Sequence, residues 1–254
     1  MTKSVVVTGA ARGIGLAITQ RFLDSGYSVA MLDNDQETLE KAAKQLAPAP
    51  VLALYCDVSD PDAVAATITQ AAAHFGSINA LINNAGIASF SSFAETSHQE
   101  WTSIISTNLS GAFYCSQACL PHLLTAGDAS IVNITSISGL RGSTLRTAYG
   151  TSKAALAHLT SQMAAELGDQ GVRVNAVAPG PVDTAMAKKV HSPAIREDYH
   201  KAIPLNRYGT EQEIANVVHF LCSAESSYIN GQQIAVDGGF GSTGIGLPAL
   251  RQSG

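Results

Sequence analysis

Residues 4–15 constrain this chain more than any other stretch, because SVVV runs directly into TGAARGIG. Ser4-Val5-Val6-Val7 is short, β-branched and unbroken, the pattern of a buried strand. Thr8-Gly9-Ala10-Ala11-Arg12-Gly13-Ile14-Gly15 follows at once, and then an amphipathic run with Leu16, Ile18, Phe22 and Leu23 at apolar positions. Strand, glycine turn and helix in that order point to a dinucleotide site. The glycines permit a tight turn and let backbone N–H groups approach a pyrophosphate, which the positive end of the helix dipole favours. The spacing is G-x-x-x-G-x-G instead of the common G-x-G-x-x-G, so the context carries the assignment more than the glycines do.

The same alternation continues along the chain. Candidate strands fall at 4–8, 28–33, 51–56, 79–83, 129–135, 172–177 and 233–236, with helical patterns at 13–25, 35–46, 61–75, 99–125, 150–168 and 211–223. Alternating strands and helices predict an α/β fold: a doubly wound, mostly seven-stranded parallel sheet with helices on both faces. The 254 residues suffice for one such domain and do not require two, so a single domain over 1–254 is expected. Residues 183–209 show no strand pattern and read as a loop with short helices; residues 240–254 form a Gly-rich tail.

Bulk properties narrow the function. A net charge of −5 argues against a surface that tracks nucleic-acid phosphates. No apolar run reaches the length of a membrane span, and the first strand begins too early to leave room for a signal peptide. Cys56, Cys115, Cys119 and Cys222 lack zinc-type spacing, so no metal is expected and a reduced, cytoplasmic setting fits best. Cys115 and Cys119, four apart on a helix, read as two small buried side chains.

Tyr149-Gly-Thr-Ser-Lys153 carries the chemistry. Four residues apart on a helix, the phenol and the ammonium share one face. A neighbouring cation favours the phenolate and lowers a reference pKa of about 10, which suits a general acid/base. Asp33 ends the second candidate strand, some twenty positions past the glycine turn. A carboxylate there can accept hydrogen bonds from both ribose hydroxyls and would repel a 2′-phosphate, so NAD is expected over NADP.

With these motifs stand Asp57-Val58, Asn83-Asn84-Ala85-Gly86, Asn108, Ser136 and Pro179-Gly180, in that order. Together they resemble the short-chain dehydrogenase/reductase family, from Val5 to about Gly239. The resemblance implies that Ser136 orients the substrate oxygen and that Tyr149 exchanges a proton with it. It implies that Lys153 lowers the tyrosine pKa and binds the nicotinamide ribose, and that Asn108 holds a water for proton relay. For the cofactor, it implies that Gly9, Arg12, Gly13, Ile14 and Gly15 form the pyrophosphate turn and that Asp57 and Val58 meet the adenine. Asn84, Ala85 and Gly86 would let the backbone run close beside the cofactor. Pro179, Gly180, Val182 and Thr184 would lie by the nicotinamide, with the Val182 backbone and the Thr184 hydroxyl offered to the carboxamide. Arg12 pulls towards NADP in this family, but Asp33 outweighs it. Asp57 also reads as a helix cap, although Ser59 and Asp60 are better placed for that. Asp237-Gly238-Gly239 resembles the family's C-terminal signature for packing and assembly, and the family resemblance implies a homotetramer.

The substrate is less constrained. Arg141 and Arg146, with Lys188, Lys189, His191, Arg196, His200 and Lys201, suggest a positive mouth for an anionic or hydroxylated small molecule. The plainer reading, solvated surface or subunit contact, is preferred. Ser89, Ser91 and Ser92 read either as a polar pocket wall or as ordinary loop composition. The leading expectation is an NAD-dependent dehydrogenase interconverting a secondary alcohol (polyol, sugar or hydroxy compound) and its ketone. The alternatives are an NADPH-dependent 3-ketoacyl carrier-protein reductase and a non-catalytic NAD(H) sensor.

Overall fold

The computed structural model describes residues 2–243; residues 244–254 of the tail and the side chains of Met186 and Lys189 lie outside the described residues. Strands and helices alternate as β1 (Ser4–Thr8), α1 (Gly13–Leu23), β2 (Ser28–Asp33), α2 (Gln36–Leu46), β3 (Val51–Tyr55), α3 (Pro61–Phe75) and β4 (Ala80–Asn83). The second half runs α4 (His98–Ile105), α5 (Gly111–Ala126), β5 (Ala129–Ile134), α6 (Ile137–Leu140), α7 (Thr147–Leu167) and β6 (Val172–Pro179). It ends with α8 (Ala185–Val190), α9 (Pro193–Ala202), α10 (Glu211–Leu221) and β7 (Gln233–Val236).

The seven strands form one parallel sheet in the order β3-β2-β1-β4-β5-β6-β7. Its two faces follow from the strand period of two. Val5, Val7, Val29 and Met31 pack with Ile18 and Phe22 of α1, Leu39 of α2 and Val218 of α10. Val6, Ala30, Leu32 and Leu81 face the other way, against Val64 and Ile68 of α3, Leu123 of α5 and Ala164 of α7. Cys115 and Cys119 belong to that second layer, fully buried and unpaired. Burial on both faces is why the strands read as continuous apolar runs.

The long helical pattern at 99–125 does not fold as one α-helix. It divides into α4 and α5 around a π-helical segment, Ser106–Ser110, with Asn108 buried at its centre. Residues 183–209 contain two helices started by side-chain caps. Thr184 Oγ1 accepts from Ala187 N, and Ser192 Oγ accepts from Ile195 N just ahead of Pro193. A buried polar chain joins the layers behind the site. Asn83 Nδ2 donates to Asn133 Oδ1 (2.9 Å) and Ser116 Oγ (3.1 Å), and Asn133 Nδ2 donates to Thr160 Oγ1 (2.9 Å).

The first turn tolerates no side chain at its last glycine. A Cβ on Gly15 would overlap the carbonyl oxygen of Gly9, which itself has φ +63°. Gly15→Ala is expected to lower unfolding stability by about 1–3 kcal/mol, as overpacked sites do. Urea denaturation checks this, and an unchanged midpoint would mean that the turn has room to shift.

Candidate active site

The winding of the sheet reverses between β1 and β4, and a crevice opens at the carboxyl ends of the strands there, as expected for this topology. A cavity of about 710 Å³ occupies it. Its wall takes in Ile14 from α1, Gly86 after β4, Ser136 after β5, Tyr149 and Lys153 from α7, and Gly180 and Thr184 after β6.

Ser136 caps α6, its Oγ accepting from Ser138 N at 3.1 Å. Its hydroxyl and the Tyr149 ring both line the cavity, and Ser136 acts to lower the phenol's pKa. The rival hydroxyl of Thr135 is instead buried, donating to Val177 O (2.9 Å) and accepting from Gln233 Nε2 (2.7 Å). Lys153 is buried; its Nζ donates to Ile134 O at 2.7 Å and lies 5.8 Å from the centre of the Tyr149 ring. Burial pulls the ammonium down to about 8. The expected effect of Lys153 on the phenol is not what the chain itself produces. Burial raises the Tyr149 pKa, and the groups that oppose the rise are Ser136, through its hydrogen bond, and Arg146, through its charge. The Lys153 ammonium has its hydrogen bond to the β5 carbonyl of Ile134.

Asn108 stands behind this group, outside the cavity wall. Its Oδ1 accepts from Ile87 N (2.8 Å), and its Nδ2 donates to Ile87 O (3.0 Å) and Ser152 Oγ (3.0 Å). Ser152 Oγ in turn donates to Tyr149 O at 2.7 Å. A Cβ on Gly86 would lie 3.3 Å from Asn108 Oδ1 and 3.4 Å from Lys153 Nζ, so this glycine lets the β4 loop run against both.

The residues expected to hold a dinucleotide fit one. Thr8 Oγ1 accepts from Asn84 N and Ala85 N (both 3.0 Å), while Asn84 Nδ2 donates to Thr8 O and Gly9 O (both 3.0 Å). These bonds hold the glycine turn against the end of β4. Asp33 accepts one backbone N–H at each oxygen, Asp35 N at Oδ1 and Ala11 N at Oδ2 (both 3.0 Å), leaving a lone pair on each for a ribose hydroxyl. Arg12 forms an ion pair with Asp35, the residue that caps α2. The Asp57 carboxylate accepts from Ser59 N (2.9 Å) and Ser59 Oγ (2.8 Å), while Asp60 caps α3. Val58 packs its side chain on Gly111 of α5. Val182 is tied to Gly209 through a bridge, and the Thr184 oxygen caps α8, which leaves its proton to donate.

At the mouth, the cations of residues 183–209 divide between ion pairs and the cavity wall. Lys188 and Arg196 both pair with Asp183, and Lys201 pairs with Glu197. None of these three cations lines the cavity, whereas Arg141, Arg146 and His191 do. Ser89 and Ser91 donate to Glu100, and Ser92 donates to Glu95, so these hydroxyls brace their loop and are not among the residues lining this cavity. Sequence reasoning missed the apolar wall, which includes Ile87, Phe90, Ile137, Val190 and Phe240. Phe90 (47% exposed) and Val190 (45%) are large apolar side chains left open at the cavity, a signal visible only once the loops are folded. His191 stacks on Tyr199 and shares a 3.0 Å hydrogen bond with Tyr208; burial, Arg146 and Arg196 all lower its pKa.

Among the described residues, no group of three or more His, Cys, Asp or Glu could hold a metal ion, and no helix is long and apolar enough to cross a membrane. Residues 9–241 match a family model described as enoyl-(acyl carrier protein) reductase. The chain is 38% identical over 242 residues to the 3-oxoacyl-(acyl-carrier-protein) reductase FabG of Chlamydia muridarum, covering 94% of this chain and 97% of that protein. It is 37% identical over 239 residues to the protein of the same name from Thermotoga maritima, covering 93% and 97%. Among solved structures, gox2181 superposes with a TM-score of 0.92 at 29% identity, covering 95% of this chain and 96% of that one. A Brucella melitensis short-chain dehydrogenase/reductase described as a glucose/ribitol dehydrogenase superposes with a TM-score of 0.90 at 36% identity, covering 94% and 96%. The crevice at the sheet reversal, the Ser136–Tyr149–Lys153 group beside it and these similarities agree: the chain belongs to the short-chain dehydrogenase/reductase family, whose members are oxidoreductases that use a nicotinamide cofactor on a CH–OH or ketone group.

Proposed function

We propose that the protein reduces the ketone of a 3-oxoacyl group to the 3-hydroxy compound, with NADH as the preferred cofactor and Tyr149 as the proton donor. The observation that carries this reading is that Ser136 and Tyr149 line one cavity whose wall also includes Ile87, Phe90, Ile137, Val190 and Phe240. Such a wall suits an acyl chain better than a polyol, whose hydroxyls would lose water without gaining partners. The 3-oxoacyl reductases among the similar proteins support the same order, so the reductase reading moves ahead of the polyol dehydrogenase favoured by the sequence. The Brucella relative keeps a sugar or polyol as the second reading.

A bound NADH supplies a hydride to the carbonyl carbon. Ser136 and Tyr149 donate hydrogen bonds to the carbonyl oxygen, and the Tyr149 proton moves to that oxygen as negative charge develops on it. Lys153, charged below about pH 8, stabilises the tyrosinate left behind and is positioned to bind ribose hydroxyls. Asn108 acts at a distance by fixing Ile87 and, through Ser152, the first turn of α7. Thr184 and the Val182 backbone hold the carboxamide. Asp33 accepts from the ribose hydroxyls and opposes a 2′-phosphate, and Arg12 is engaged with Asp35 and offers that phosphate little compensation. We also read the assembly as a homotetramer; Trp101, Phe113 and Leu124 are exposed apolar side chains on α4 and α5 that such contacts would cover.

Tyr149→Phe should lower kcat by about 10²–10⁴-fold while leaving the NADH affinity close to wild type. Absorbance at 340 nm and NADH fluorescence titration measure the two, and undiminished turnover would sink the proton-transfer role.

Asp33→Ser should raise the kcat/KM ratio of NADPH to NADH by about 100-fold. A wild-type preference for NADPH in the same assay would overturn the weight placed on Asp33.

Lys153 also predicts a pH-dependent stability. Its folded pKa of about 8 lies below the ordinary lysine value, so holding the charge costs stability wherever both states are protonated, below about pH 8. The cost is relieved as pH rises from there to the unfolded value. Lys153→Met should therefore stabilise the protein at pH 7 by on the order of 1–2 kcal/mol, net of the orphaned Ile134 carbonyl, and by progressively less towards pH 10. Thermal denaturation across this range reads it, and a gain that grows with pH would contradict the assignment.

A further inference from the structure

Arg146 sits immediately before α7, three residues ahead of Tyr149. Its guanidinium carbon lies 3.6 Å from the centre of the Phe90 ring and 5.2 Å from that of Tyr149. Nη1 donates to Ser89 O at 3.1 Å. The ring and the carbonyl hold the group, and Arg146 is one of the residues lining the cavity. The backbone that delivers it is itself held. Leu145 takes φ +59°, a conformation that an L side chain rarely adopts, and its carbonyl accepts from Ser91 N at 3.2 Å.

Among the described residues, its charge has no carboxylate to answer it: none lies within ion-pair distance of Arg146, whereas Arg12, Arg196 and Arg207 each have one. Glu100, in the first turn of α4, accepts the Ser89 and Ser91 hydroxyls instead. A half-buried guanidinium without a counter-charge is costly, and burial lowers its pKa. A cation held in this way beside the proton donor is preorganised for an anion that arrives with the substrate.

We propose that Arg146 binds the substrate's own carboxylate, so that the preferred substrate is a short 3-oxo acid as the free anion, and not a thioester. This rests on the 3-oxoacyl reading and deepens it: the ketone is held by Ser136 and Tyr149, and C1 faces Arg146. A planar carboxylate can take two guanidinium N–H groups at once; the C1 carbonyl of a thioester carries no charge and can take fewer. The short substrate leaves the space towards Val190 and Phe240 to a few carbons of acyl chain.

The test compares acetoacetate with its uncharged N-acetylcysteamine thioester, in wild type and in Arg146→Met, which keeps an apolar stem against Phe90. Wild type should favour acetoacetate in kcat/KM. The variant should lose about 10²–10³-fold more on acetoacetate than on the thioester, whose own loss reads the effect of the Arg146 charge on Tyr149, with NADH binding intact. Arg146→Lys should recover part of the loss. A wild-type preference for the thioester, or an equal loss on both compounds, would overturn the proposal. Malonate, which has no ketone to reduce, separates this inference from the reading beneath it. If neither compound turns over, the 3-oxoacyl reading fails. Calorimetric titration of malonate into the protein with NADH then decides the carboxylate site: binding that Arg146→Met abolishes supports it, and binding that is absent or unaffected overturns it.

Discussion

The site depends first on how closely β1 and β4 approach each other where the sheet reverses its winding. Two neighbouring parallel strands whose connections leave in opposite directions open a crevice at their carboxyl ends. That crevice needs both a closed floor and a bare wall. Thr8 closes the floor by accepting two successive N–H groups from Asn84 and Ala85, and Asn84 returns two bonds to the turn. The glycines keep the wall bare, since a Cβ at Gly15 would collide with Gly9. The bare wall leaves the turn's backbone open to the crevice, where a bound pyrophosphate would lie, and everything after β4 is hung from the other side of the same gap.

Across that gap, the burial of Lys153 sets the character of the chemistry. A lysine this buried keeps its charge only with help, and Ile134 O is the partner that the chain provides. The result is an ammonium at the edge of ionisation near neutrality, close to a phenol that burial has made a weaker acid. Neither shift favours a resting phenolate. Both favour a protonated tyrosine beside a lysine whose charge is most valuable when negative charge appears on oxygen. That is the polarity a carbonyl reduction needs, and it agrees with Tyr149 as donor more than as resident base.

Much of this was legible in the sequence because local and global signals coincide. Each strand buried on two faces reads as a short apolar run, and all seven were placed to within two residues at either end. Asn108 was recognisable as a break in a helical pattern, but nothing in its type announces a π-helical segment. That form arises because its side chain satisfies Ile87 and Ser152, far away in sequence. The helices at Thr184 and Ser192 did carry cap signals, and Ser192-Pro193 is a start signal readable without a structure. The flap charges were harder, since a tally of cations says nothing about which carboxylates fold back on them. Asp183 alone takes Lys188 and Arg196.

The same reasoning separates Arg12 from Arg146. Arg12 and Arg146 look alike in the sequence, each a lone cation beside a motif that binds small molecules. Folding pairs Arg12 with Asp35 and leaves Arg146 against Phe90, Tyr149 and a carbonyl. A paired, exposed guanidinium offers little to a phosphate, because binding one would first give up an existing partner. An unpaired, half-buried one has already lost much of its water and has no partner to surrender, so an anion that reaches it gains most of the Coulomb energy. The charge at the cofactor end is thus spent internally, which agrees with Asp33 and a ribose without a 2′-phosphate. The charge at the substrate end is held in reserve. Specificity at both ends of the crevice then follows from which cation the fold has neutralised.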